Sequence, residues 1–182
     1  MSQAKKKILF HLPIPIDFGS YNGTQGRVFG MLKYFSDRQD FLEVDAVGGN
    51  KFGIVEWGLA QKQEILNFVD NIFVYEGDRN LVDFLYTRLQ SLYYQKILQQ
   101  QLPVDSDYFA PPGYRKYIQN LISQKNYDFI WINNLDYAHL AAEKTSKATR
   151  IIDMHDITSR FRLVRKNIPG FENLKFDYES NF

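Results

Sequence analysis

Three short runs constrain this chain most: Lys7-Ile-Leu-Phe-His-Leu12, Tyr127-Asp-Phe-Ile-Trp-Ile132 and Arg150-Ile-Ile-Asp-Met154. Each is β-rich and nearly continuously apolar, whereas a strand with one wet face alternates. Such runs are expected of strands buried on both faces of a parallel sheet. The cores Ile8–Leu12, Phe129–Ile132 and Ile151–Met154 are therefore expected as central, parallel neighbours. Two weaker strand candidates are Leu42–Val47 and Asn71–Tyr75.

Helical patterns lie between the runs. Val28, Met31, Leu32 and Phe35 form a stripe that predicts a helix over Arg27–Asp37. Further helices are expected over Asn80–Gln101, Tyr114–Gln124, Ala138–Thr145 and Ile157–Lys166. The alternation of strand and helix predicts an α/β fold, a doubly wound, mainly parallel sheet with helices on both faces, Rossmann-like. The 182 residues fit one domain by the usual prior of ~100–200 residues.

Composition excludes several classes of function. The net charge is +1, so nothing indicates a nucleic-acid partner, which usually selects a strong basic excess. There is no cysteine, and with it no disulfide, thiol nucleophile or Cys-based zinc site. The lysine-rich start is followed by an apolar run too short and too broken by proline for a secretory leader. No stretch approaches the ~20 apolar residues of a transmembrane helix. The chain is expected to be soluble, cytoplasmic, or held at the inner face of a membrane.

In open parallel sheets ligands bind beyond the carboxyl ends of the strands, so the informative segments are the loops there. After the first strand comes Pro13-Ile-Pro-Ile-Asp-Phe-Gly-Ser-Tyr-Asn-Gly-Thr-Gln-Gly-Arg27. Its glycines permit close approach of the backbone to a ligand, and a helix start favours an anion. Arg27 is a candidate partner for a phosphate. The spacing matches neither the dinucleotide fingerprint nor the P-loop, and a plain connection with turn glycines is the competing reading.

After the fourth strand, Asn133-Asn-Leu-Asp-Tyr137 offers amides and a carboxylate to sugar hydroxyls, though these residues equally make turns and caps. After the fifth, Asp153-Met-His-Asp-Ile-Thr-Ser-Arg160 brings His155 and Asp156 to the sheet edge. His155 is a candidate general base, because its unperturbed pKa lies near neutrality. Asp156 is a candidate helix cap, and a structural, backbone-bonded His155 is the alternative. His11 and His139 read as structural. Phe84–Leu98 mixes aromatic and basic residues. Its spacing is that of a core-facing stripe, and the competing reading is a membrane-interface helix that meets a lipid-linked acceptor.

Taken in order, these segments resemble the N-terminal domain of the GT-B fold, and specifically retaining enzymes like glycosyltransferase family 4. Lys7-Ile-Leu-Phe-His-Leu-Pro13 is similar to the family's first strand. Gln25-Gly-Arg-Val-Phe-Gly-Met-Leu32 resembles its glycine loop and first helix. Asn126-Tyr-Asp-Phe-Ile-Trp-Ile-Asn133 and Arg150-Ile-Ile-Asp-Met-His-Asp156 resemble two later strands, the second ending in His-Asp. The loop before Gln25 is longer and less glycine-paired than the family's.

The resemblance implies that residues 1–182 are the acceptor-side half of a glycosyltransferase, inactive alone. The donor-binding C-terminal domain would lie outside these residues. It implies a nucleotide-sugar donor, a glycan or lipid-linked acceptor and chemistry without a metal or other cofactor. His155 matches the family's cleft histidine. Gly23, Thr24, Gly26, Arg27, Asp156 and Asn133 would contact donor diphosphate or acceptor. The alternatives are a free-standing flavodoxin-like module that binds a small anion, and an interaction domain without catalysis.

Overall fold

The computed structural model describes residues 4–16, 23–49, 56–77, 80–100, 102, 108–142 and 146–154, with only the backbone at 23 and 24. Five parallel strands, β1 (Lys6–Leu12), β2 (Leu42–Gly49), β3 (Asn71–Tyr75), β4 (Phe129–Asn133) and β5 (Thr149–Asp153), form one sheet of order β3-β2-β1-β4-β5. Every pairing is parallel: Ile8 stands beside Val44 and Phe129, and Asn133 beside Asp153. The fold is a Rossmann-like α/β domain, as the alternating pattern requires.

The helices are α1 (Gly23–Ser36), α2 (Leu59–Ile65), α3 (Leu81–Leu92) and α4 (Pro112–Lys125). A π-helical turn, Tyr93–Ile97, extends α3, closed by the Leu98 N–H donating to the Tyr93 carbonyl at 3.0 Å. A 3-10 segment, Leu135–Ala141, follows β4.

Strand alternation divides the core in two. On one face Ile8, Phe10, Leu12, Val44 and Ala46 pack with Val28, Leu32 and Phe35 of α1 and Ile65 of α2. On the other, Leu9, Val47, Ile130 and Ile132 pack with Tyr114, Ile118, Leu121 and Ile122 of α4 and Leu140 of the 3-10 segment. Both faces are thus covered, which is why the strands read as unbroken apolar runs. Burying each Leu, Ile or Phe side chain stabilises the fold by about 1.5–3 kcal/mol before entropy is counted.

A carboxylate penetrates the core. Asp45 on β2 is buried and accepts from Asn71 Nδ2 at 2.7 Å, Lys125 Nζ at 2.9 Å and Tyr127 OH at 2.6 Å. Its charge is tolerable there because it is both paired and hydrogen-bonded. At the amino end of the sheet, Asp128 binds the Lys6 ammonium at 2.8 Å and the Lys7 N–H at 2.9 Å. Those two contacts hold its carboxyl below the usual range.

Several expectations need correction. β5 is the outer strand among the described residues, not a central one, and Ile152 and Met154 are exposed. Its apolar run is real, but only β4 pairs with it. Helix α1 begins four residues before Arg27, so Gly23 and Gly26 belong to its first turn instead of the loop. The helix expected over Ala138–Thr145 is the earlier, tighter 3-10 segment, which Asn134 caps by accepting from the Asp136 N–H. Helix α2 was not expected, because seven residues with one buried position, Ile65, give no periodic stripe. The helix expected over Ile157–Lys166 lies outside the described residues.

The largest departure concerns α3. Phe84–Leu98 is not a core-facing stripe: the buried residues of α3 are Asp83 and Thr87, and its apolar side chains are exposed. The helix docks by polar contacts instead. Asp83 accepts from Tyr75 OH at 2.7 Å and from the Gly113 N–H in the first turn of α4 at 3.2 Å. Spacing alone reports that a helix has an apolar side, not whether the sheet is what covers it.

Candidate functional site

The strand order reverses between β1 and β4. The chain leaves β1 for α1 and β2 on one side, and leaves β4 for β5 on the other. Connections that depart in opposite directions leave a crevice at the carboxyl ends of these two strands, the usual ligand position in such sheets.

On the α1 side of this edge stand Arg27, Asn133 and Asp153. Arg27, in the early part of α1, is half-exposed and places Nη2 2.5 Å from Asp153 Oδ1 at the end of β5. This bond joins the helix after the first strand to the end of the fifth. Asp153 is mostly buried, and its Oδ2 has no partner among the described residues. Asn133 ends β4 fully buried, and its Nδ2 donates to the His11 carbonyl. It therefore clamps β1 to β4. The capping expected of the Asn133–Tyr137 segment is done by Asn134.

On the α4 side stand His11, Tyr114 and Tyr137. The His11 ring is fully buried, 4.5 Å from the Tyr137 ring and 6.3 Å from that of Tyr114. Burial pushes its pKa down to about 3, against a smaller upward pull from the Asn133 main chain. The imidazole is thus neutral at physiological pH. Neither ring nitrogen has a hydrogen-bond partner of good geometry among the described residues. His11 is a fully buried core residue, and the Asn133 main chain is the backbone group that acts on its ring.

Tyr114 lies over the ends of β2 and β3. It stacks on Tyr75 at 5.3 Å, and a Cβ at Gly49 would sit 3.0 Å from its ring. Its hydroxyl is buried without a partner among the described residues, and burial raises its pKa well above the ordinary value. The Tyr137 hydroxyl donates to the Pro13 carbonyl at 3.4 Å, holding the start of the loop after β1 against the segment after β4.

Buried polar atoms are nearly always hydrogen-bonded, and exceptions ask for a reason. Four of the exceptions here, both His11 nitrogens, Tyr114 OH and Asp153 Oδ2, cluster at the carboxyl edge of the sheet. The others, Trp131 Nε1 and Gln90 Oε1, lie within β4 and α3. The edge is chemically able to donate from a phenol and a guanidinium and to accept at a carboxylate. A neutral imidazole there offers one of each.

Of the residues expected from sequence, Arg27 and Asn133 stand at this edge, with Gly23, Thr24 and Gly26 in the adjoining first turn of α1. His155 and Asp156 lie outside the described residues, as do residues 17–22 of the loop. Tyr114, Tyr137 and Asp153 were not singled out. For Tyr114 a signal existed: Pro112 marks the first position of a helix, which puts Tyr114 in its first turn beside the strand ends. Among the described residues no three His, Asp or Glu side chains converge as metal ligands, and no helix is long and apolar enough to cross a membrane. Compared with known proteins, the chain matches no family model, no curated protein and no solved structure.

Proposed function

We propose that this chain is the acceptor-side, N-terminal domain of a GT-B-type glycosyltransferase that moves a sugar from a nucleotide-sugar to a glycan or lipid-linked acceptor. The observation that carries the reading is the set of buried polar atoms without a well-formed hydrogen bond among the described residues, at the carboxyl edge of a parallel sheet whose order reverses between β1 and β4. Such an edge suits a polyhydroxylated ligand, which supplies donors and acceptors together. The first turn of α1 and the Arg27 guanidinium suit the donor diphosphate. The choice of transferase chemistry rests on the order of the sequence motifs, with His155 as the proposed general base or transition-state donor.

The test is sugar transfer by a full-length protein that carries a second α/β unit after Phe182. Wild type should transfer, and His155→Ala should lose turnover while keeping its melting temperature. Unchanged turnover removes His155 from the mechanism. Robust transfer by the 182-residue chain alone overturns the half-enzyme reading. Nucleotide-sugar binding without transfer in the full-length protein would favour the small-anion-binding module.

A further inference from the structure

We infer that α3 and its π-helical extension form a docking face for an anionic membrane surface. Ten large apolar side chains between Leu81 and Leu98 are exposed, from 38% at Leu98 to 74% at Val82. They include Leu85, Leu89, Leu92 and Ile97, and the aromatic residues Phe84, Tyr86 and Tyr93. A soluble surface rarely gathers so many in one helix, and a large exposed apolar patch marks an interaction site.

The charges select the occupant. Within residues 80–100 the exposed charged side chains are Arg88 and Lys96, both cationic. The one acid of the segment, Asp83, is buried and spent on Tyr75 OH and the Gly113 N–H. The exposed part of the segment therefore carries positive charge alone. Among the described residues Glu76 is the exposed acid that precedes the Asn80 cap, and Asp78 lies outside them.

Apolar side chains, tyrosines and cations without acids are the composition of a helix that lies in the interface of an anionic bilayer. Long cationic side chains within such a face reach the headgroups while their stems stay with the apolar surface. A protein partner of opposite charge, or a second copy, would share the apolar part but not the dependence on lipid charge. The inference is independent of the transferase reading, because it uses neither the strand ends nor His155.

The test is flotation of the 182-residue chain with vesicles of phosphatidylcholine alone and of phosphatidylcholine with phosphatidylglycerol. The expected result is binding to the anionic vesicles, weakened by salt, and little to neutral ones. Arg88→Ala with Lys96→Ala should weaken it about thirtyfold, at roughly one cation's attraction each. Leu89→Glu with Ile97→Glu should abolish it. Both positions are exposed, so circular dichroism should show the fold intact. No binding to anionic vesicles, or equal binding by the Leu89→Glu/Ile97→Glu chain, overturns the proposal. So does a concentration-dependent dimer that these substitutions dissolve in the absence of vesicle binding.

Discussion

Arg27 and Asp153 meet at 2.5 Å across the carboxyl edge of the sheet, one from the helix after the first strand and the other from the end of the fifth. The arginine is half-exposed and the carboxylate mostly buried, so the two ends of the bond differ in what their loss would do.

Arg27→Ala should destabilise the domain by about 1 kcal/mol, more than a surface pair would, because Asp153 is left without its cation. Asp153→Asn in the same background should recover part of that loss. Urea unfolding of the two single variants and the double variant checks the coupling. In a full-length transferase, Arg27→Lys should raise KM for the nucleotide-sugar about tenfold with kcat less affected. A lysine cannot present a fork to a carboxylate and a phosphate together.

His11 should make stability depend on pH. Its folded pKa lies near 3 and its unfolded value near 6.5, so below pH 6.5 the unfolded chain binds the proton that the folded chain refuses. Stability is therefore full above pH 6.5 and falls as the pH drops from there toward 3. The loss should be about 2 kcal/mol at pH 5, at about 1.4 kcal/mol per unit. His11→Leu should remove this part of the slope, read as urea midpoints from pH 7 to pH 5.

The same variant should separate stability from function. Among the described residues the ring nitrogens make no hydrogen bond of good geometry, so leucine removes a desolvated polar group and forfeits only the weak contact with the Asn133 main chain. At pH 7, His11→Leu should be neutral or more stable by about 1 kcal/mol. Under the proposed transferase reading, affinity for a glycan or lipid-linked acceptor should fall in that stabilised variant, as measured by titration calorimetry.

Asp45 should be the costliest polar residue to remove. Asp45→Ala leaves Tyr127 OH and Asn71 Nδ2 without their acceptor and frees Lys125, and should cost about 3 kcal/mol. A loss under 1 kcal/mol in chemical denaturation would show that the network is dispensable.

Gly113 sits where the α3–α4 latch closes. A Cβ there would overlap Asp83 Oδ2 and Tyr75 OH. Gly113→Ala should cost about 1–3 kcal/mol by overpacking. Limited proteolysis should then cut first within Leu81–Leu98, since this latch ties the start of α3 to β3 and α4.

The amino-acid pattern by itself determined the architecture. Ile8–Leu12 and Phe129–Ile132 are apolar on both faces, a state that only a sheet covered on both sides stabilises, so parallel pairing followed from local composition. The same holds for α1, where Val28, Leu32 and Phe35 face Phe10. Asn133 was legible as an edge residue because it ends a strand, and Arg27 because it lies early in the helix that follows the loop after β1.

Relations between segments far apart in the chain arise only in the folded molecule. Arg27 and Asp153 are 126 positions apart, and the Asn133 amide and the His11 carbonyl 122. No local preference encodes such a pair. Tyr114 reached the site through stacking on Tyr75 and the latch at Gly113. The fate of α3 was equally invisible, because an apolar stripe states only that a helix has a face to cover. Whether sheet, partner or bilayer covers it depends on where the rest of the chain leaves room.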